Sequence, residues 1–421
     1  MHKPSPTIAE DIAAVLSLKP GGPHAFAGAA RWGVAPAAAP AGRAGGEADR
    51  LTRVYVEVTT RCNLACRTCV RNGWHEPLGE MPLALFRSLI AQLHAGAQER
   101  AGAQPPTLVF AGYGEPTVHP ELLEMLRLSK DLGARVEMVT NGTRVDAAMA
   151  RGLIDLGVDR VWFSVDAVTP ERYAAIRRGG QLAEVSGHIR GLYHERLRER
   201  RILPEIGLAF VAMRSNIDEL PGLYRLAMAV HASDVLVTNL LPHTPDMLDE
   251  ILYRRSIGMG RYSQSHEVPR VHLPRIDFDE TTGPALLALL GRADNLDLAG
   301  ADPAGQSDYC PFVQGGATAI RWDGRVSPCT PLLHAHPVFV ASRWKHVKDS
   351  SFGGIAEQSL ADIWASDPYA AFRRKVQAFD FAPCVFCGGC ELDESNEEDC
   401  KGNTFPVCGG CLWAQGIVRC P

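Results

Sequence analysis

The chain has 421 residues, 46% of them apolar and 22% charged, with a formal net charge of −5. That length suits two or three domains, and the balance is that of an ordinary globular protein. No basic stripe points to nucleic acid and no block of like charge points to a membrane surface. No uncharged apolar run approaches the roughly 18 to 20 residues of a membrane span. Glu10 and Asp11 interrupt the most apolar part of the first twenty residues, so no secretory signal is expected and a cytoplasmic location follows.

Residues 1–50, rich in Ala, Gly and Pro, read as a mobile leader with one short helix near residues 8–18. A regular alternation then begins. Strands are expected at 53–60, 107–113, 135–142, 160–167, 205–213 and 234–241. Helices are expected at 81–96, 120–133, 146–157, 170–178, 184–200 and 218–231. Six strands alternating with helices imply parallel pairing through right-handed crossovers, an α/β partial (β/α)6 barrel over residues 51–245. Residues 242–255 look helical, and 246–304 form a connector with one helix near 284–293. Residues 305–421 read as a cysteine-rich domain that folds around its metals rather than around a large core.

Twelve cysteines fall in two groups, three at 62–69 and nine from Cys310 onward. Six disulfides would need an oxidising compartment, and clustered C-x2-C pairs in a cytosolic chain point to metal instead. Cys62, Cys66 and Cys69 follow the first strand, on the edge where parallel α/β folds build their sites. A structural zinc would want a fourth ligand, with His75 at a possible spacing. The other reading is a 4Fe–4S cluster on three thiolates with one iron open to an exogenous ligand.

The C-x3-C-x2-C spacing resembles the radical S-adenosylmethionine superfamily, with Thr68 where an aromatic residue is common. The resemblance covers about residues 52–245. It implies that the open iron binds S-adenosylmethionine and that one electron cleaves the sulfonium to a 5′-deoxyadenosyl radical, which takes hydrogen from a substrate. Gly112, Gly114, Glu115 and Pro116 end the second strand. Their glycines permit close backbone approach, and the glutamate before proline is held extended. The run is similar to the family's GGEP motif, with Tyr113 for the second glycine, and in the family that motif hydrogen-bonds the cosubstrate ammonium. Asn141 lies in a T-N-G run that is either a plain turn or, as in relatives, a wall of the cleft. Ser164 and Asp166 stand two apart at the fourth strand and read either as a polar strand end or as ribose contacts. Arg214 is a candidate carboxylate partner. His243 is either a substrate contact or a cap for the helix that follows.

Cys310-x13-Gly324-x4-Cys329 resembles the SPASM extension of radical enzymes, which holds auxiliary iron–sulfur clusters. The second group (Cys384, Cys387, Cys390, Cys400, Cys408, Cys411 and Cys420) departs from the extension's common spacing. Nine thiols suffice for two closed 4Fe–4S clusters with one left over, and zinc at one site is the alternative. The tail from residue 399 and the run at 237–253 narrow the resemblance to cofactor-modifying or maturation proteins of tungsten-containing aldehyde oxidoreductases. The implied partners are such an oxidoreductase, or a peptide as for other SPASM enzymes, and a low-potential donor such as ferredoxin or flavodoxin. A non-catalytic electron carrier or zinc scaffold is the reading of another class, and the Gly-Glu-Pro turn argues against it.

Overall fold

The computed structural model describes residues 50–254 and 309–421 apart from 75, 100–103, 341–342, 383 and 388–389. It also describes 271–273, 281–282, 285 and 296–298. The leader, with its expected short helix, and the expected helix at 284–293 lie outside the described residues, save residue 285.

All six expected parallel strands form. They are β1 (Arg53–Val56), β2 (Thr107–Phe110), β3 (Val136–Thr140), β4 (Arg160–Ser164), β5 (Glu205–Ala212) and β6 (Asp234–Asn239). Between them run α1 (Leu83–Glu99), α2 (Leu122–Asp131), α3 (Ala147–Asp155), α4 (Pro170–Ile176), α5 (Leu182–Arg198) and α6 (Leu220–Ala229). The strands pair in chain order, each parallel to the next. Of residues 242–255, expected as a helix, the described ones (242–254) instead hold a 3-10 segment, Pro245–Glu250, inside irregular chain. In the connector a short parallel pair forms, β7 (Val271–Leu273) with β8 (Leu296–Leu298).

The sheet does not stop at six strands. β9 (Ala317–Ile320) pairs parallel with β1, and β10 (Val326–Ser327) pairs antiparallel with β9, giving the order β10-β9-β1-β2-β3-β4-β5-β6. The cysteine-rich region therefore shares the barrel's core. Phe312, Ala319, Ile320, Val326, Ile363, Tyr369 and Val376 belong to the same apolar cluster as Val54, Phe110 and Leu208. The expectation of a module with little core is corrected for residues 311–381, which burial against β1 stabilises as it does any core element. Beyond β10 come the hairpin β11 (His336–Val340) and β12 (Arg343–Val347), then α7 (Leu360–Ala365) and α8 (Asp367–Ala378).

Strand alternation sorts the sheet into two faces. Val54, Val56, Leu108, Phe110, Val136, Met138, Val161 and Phe163 are fully buried in the core with Phe86, Leu89, Met125 and Leu153 of the helices. The opposite face carries Arg53, Tyr55, Glu137, Arg160, Trp162, Ser164 and Glu205. At its base Arg53–Glu137 (2.5 Å), Arg135–Glu137 (3.1 Å), Arg135–Glu205 (3.6 Å) and Arg160–Asp234 (3.4 Å) run across the strands as alternating charges. Segment 417–421 reaches this face. The Asn239 amide donates to the Ile417 carbonyl (2.9 Å), the Arg419 amide to Thr238 Oγ1 (2.8 Å), and the Tyr55 hydroxyl to the Pro421 carbonyl (3.1 Å).

Candidate active site

Cys62, Cys66 and Cys69 are half-buried on the loop between β1 and the 3-10 turn Val70–Gly73. Main-chain bonds fix that loop to the end of α4: Ala65 N–H donates to Arg178 O (3.0 Å) and Arg67 N–H to Ile176 O (2.8 Å). Within the loop Cys69 N–H reaches Cys66 O (3.2 Å), Asn72 Nδ2 donates to Cys66 O (2.9 Å), and Arg71 donates to Thr60 O (2.7 Å). Arg67 is paired to Glu250 at 2.7 Å, which ties the loop to the segment after β6.

The ends of β2, β3 and β4 converge on these thiols. Gly114 sits where a Cβ would stand 2.0 Å from Thr59 O and 2.7 Å from Arg61 O, so only glycine lets the two chains pass. A Cβ on Gly112 would stand 2.6 Å from the Glu57 side chain, and Pro116 opens a buried 3-10 turn. Asn141 Nδ2 lies 3.8 Å from Cys62 Sγ and 3.0 Å from Asn63 Oδ1.

Glu115 ties together the turns that end β2 and β3. It is 2% exposed, and its carboxylate accepts from Thr117 N (3.0 Å), Thr117 Oγ1 (2.6 Å), Thr140 Oγ1 (2.7 Å) and Asn141 N (2.6 Å). Three of these donors meet Oε1 and one meets Oε2, which keeps a free lone pair. The side chain staples the β2 turn to the β3 turn.

Ser164 remains half-buried at the end of β4 on the open face. Asp166 does not share that position. The strand ends at Ser164, and Asp166 is fully buried, taking Val211 N–H on one oxygen (2.9 Å) and the Arg177 guanidinium on the other (2.9 Å). Arg177 was not singled out by sequence reasoning. Its only signal is a charged residue before Gly179-Gly180 at a helix end. Burial pushes the Cys66 thiol up to about 11, and the Arg177 cation opposes that rise. Arg214 is exposed and turned away, its Nε donating to Asp249 O at 2.7 Å. His243 is buried, with Nδ1–H donating to Leu241 O at 3.1 Å, and burial holds its pKa below the ordinary histidine value.

A buried network missed by sequence reasoning joins this loop to the C-terminal region. His334 is fully buried, one ring nitrogen 2.7 Å from Glu57 and the other 2.7 Å from Glu76, which also meets Arg321 at 3.1 Å. Trp74, Tyr113 and His334 pack their rings together, with centroids 5.2 Å apart for Trp74–Tyr113 and 4.2 Å for Trp74–His334.

The later cysteines also sort by position. Cys310, Cys329, Cys408 and Cys411 line one apolar cavity together with His336 and Lys345. Burial raises the thiols of Cys310, to about 12, and of Cys329, Cys408 and Cys411. Cys384 lies behind the Cys408–Cys411 loop, near enough to Cys400 for its charge to be felt, and Cys387 and Cys390 follow it three and six residues on in sequence. Asp399 knots the Cys400 loop by accepting from Ala382, Lys401 and Asn403 amides at 2.9 to 3.1 Å. Cys420 is exposed and not among the cavity's lining residues, with Trp413 Nε1 donating to its sulfur at 3.2 Å and Cys411 near enough for its charge to be felt.

The donor sets fit iron–sulfur clusters. The eleven described cysteines are free thiols, and the side chain of Cys387 and all of His75 lie outside the described residues. Among the described residues no three Cys, His, Asp or Glu side chains converge as a single metal ion requires. Four thiols spread around one cavity suit a larger polynuclear group. Among the described residues no helix is long and apolar enough to cross a membrane.

The family profile of the radical SAM superfamily matches residues 56–192, and that of an iron–sulfur cluster-binding domain, SPASM, matches 310–391. The chain is 32% identical over 377 residues to the tungsten-containing aldehyde ferredoxin oxidoreductase cofactor-modifying protein of Pyrococcus furiosus, across 87% of this chain and 96% of that one. It is 24% identical over 371 residues to the PqqA peptide cyclase of Gluconobacter oxydans, covering 84% and 89%. The solved structure of native anSMEcpe with bound AdoMet shares the fold at TM-score 0.52 and 14% identity, over 87% of this chain and 96% of that one. The cofactors that follow from the two family matches are 4Fe–4S clusters and S-adenosylmethionine. With a matched catalytic domain, a matched cluster domain and a relative 32% identical across 87% of the chain, the chain belongs to the radical SAM superfamily and is one of its SPASM-bearing enzymes.

Proposed function

We propose that the chain makes a 5′-deoxyadenosyl radical at Cys62, Cys66 and Cys69 and uses it to modify the cofactor of a tungsten-containing aldehyde ferredoxin oxidoreductase. The 32% identity to the Pyrococcus furiosus cofactor-modifying protein, sustained over 96% of that protein, carries this reading. When bound, the three-cysteine cluster supplies the electron and the open coordination position at which S-adenosylmethionine is cleaved.

The chain's own residues do the rest. Gly112 and Gly114 let the β2 turn lie against the cysteine loop, and Pro116 fixes its exit. Glu115 holds Asn141 beside Cys62, while Ser164 faces the open side of the sheet, where a ribose would lie. Asp166 orients Arg177 under Cys66, and Arg214 lies outside this group. Cys310, Cys329, Cys408 and Cys411 hold one auxiliary cluster, and Cys384, Cys387, Cys390 and Cys400 the other. Cys420 is the thiol left over. A ferredoxin or flavodoxin supplies the electron.

The test supplies reconstituted, reduced protein with a tungsten-containing aldehyde oxidoreductase or its extracted cofactor. The reading expects faster 5′-deoxyadenosine formation and a mass change in the cofactor. The 24% identity to a PqqA peptide cyclase favours a second reading, in which a peptide is modified. Stimulation by peptides and not by the tungsten cofactor would select it.

A further inference from the structure

The β11–β12 hairpin sends one charged side chain inward. Lys345, opposite Val338 in the hairpin, is 5% exposed and lines the cavity of Cys310, Cys329, Cys408 and Cys411. A buried ammonium is costly unless paired, and its partner comes from the other cysteine group. Asp393 Oδ1 lies 2.9 Å away, and the Asp393 amide donates to Cys390 O at 3.2 Å. That carboxylate uses one of the three ammonium donors.

Between the two cysteine groups runs the Cys408–Cys411 loop. A Cβ on Gly410 would stand 2.9 Å from Lys345 Nζ, and a Cβ on Gly409 would stand 3.5 Å from Cys384 Sγ. Ammonium, loop backbone and Cys384 are thus stacked in contact. The electrostatics agree. Burial pushes the Cys384 thiol up to about 12, Asp393 adds to the rise and Lys345 opposes it. Burial likewise raises Cys408 and Cys411, and Lys345 opposes both.

We propose that Lys345 is a positioning residue shared by the two auxiliary sites, its buried ammonium balancing the negative charge that each gains on taking up one electron. The electron leaves a substrate-derived radical, which is oxidised by one electron as the site is reduced by one, and no proton need accompany it. Charge is felt strongly here because the surroundings exclude water. A cation in reach of both sites makes both easier to reduce, and Asp393, by partly neutralising it, moderates the effect. This rests on the auxiliary-cluster reading above.

The experiment uses anaerobically reconstituted full-length protein, its iron content and a dithionite titration followed by electron paramagnetic resonance. K345M is expected to lower the midpoint potentials of both auxiliary signals, and D393N to raise both. K345R is expected to stay near wild type, and the catalytic signal to hold still throughout. A purely structural ion pair would not give opposite signs. Unmoved potentials at full iron content, movement of one signal alone, or shifts of the same sign in K345M and D393N would each overturn the proposal. Should K345M lose iron, D393N and K345R still read the sign and the sharing. A wild-type protein with about four irons and zinc in place of the rest, against about twelve for three clusters, would instead overturn the reading beneath it. The two failures are therefore distinct.

Discussion

Glu115→Gln separates a carboxylate that organises the site from one that grips the cosubstrate. The amide keeps the shape of the side chain. If its oxygen stays with Thr117 and Thr140, its nitrogen falls where Oε2 now accepts the Asn141 amide at 2.6 Å, and a donor faces a donor. Loss of one bond to a charged group costs about 1.5 to 3 kcal/mol, and the Asn141 N–H left unpaired in a buried turn costs about 1 to 3 more. With partial relaxation the sum is roughly 3 to 5 kcal/mol. Urea unfolding of the apo-protein should show a lower midpoint, and hydrogen exchange at Asn141 should speed up. S-adenosylmethionine binding should weaken as a consequence, because Asn141 borders Cys62. Unchanged stability and exchange together with lost binding would refute the organising role and select the direct clamp.

Other outcomes follow from the same geometry. Gly114→Ala has no room beside Thr59 O; iron analysis should show loss of the catalytic cluster alone, from about twelve irons to about eight. Arg177→Met leaves the fully buried Asp166 carboxylate without its ion-pair partner, and denaturation should report a loss of about 3 to 5 kcal/mol. Despite its burial, Glu250 has its carboxyl held below the usual value by the Ser215 amide and Arg67. A depressed carboxyl stabilises fully above its unfolded pKa, and that contribution fades as pH falls through the lower folded value. The stability gap between wild type and Glu250→Gln should thus be widest above about pH 5 and close in stronger acid.

The barrel was legible because its signals are local. Apolar runs such as Leu108–Phe110 and Val161–Phe163 alternate with amphipathic helices. The pairing of β9 with β1 was not legible, since parallel partners more than 260 residues apart leave no mark in either segment. Asp166 shows how period-two reasoning fails at a strand end. Ser164 and Asp166 would share a face only if the strand continued, and Arg177 from the next helix captures the aspartate first. The His334 network was hidden for a similar reason, its three acidic and basic partners coming from 57, 76 and 321. The cysteine spacing did carry the cluster chemistry, while its division into a cavity group and a neighbouring loop depended on the fold.

The central claim is that Cys62, Cys66 and Cys69 form a radical-generating site separate from the later cysteines. Its most direct measurement is 5′-deoxyadenosine formation from S-adenosylmethionine under anaerobic reduction, with iron counted in the same samples. Wild type should make the product, and the Cys62→Ala, Cys66→Ala, Cys69→Ala triple variant should make none while keeping about eight irons. Product from the triple variant, or none from fully loaded wild type, would contradict the account.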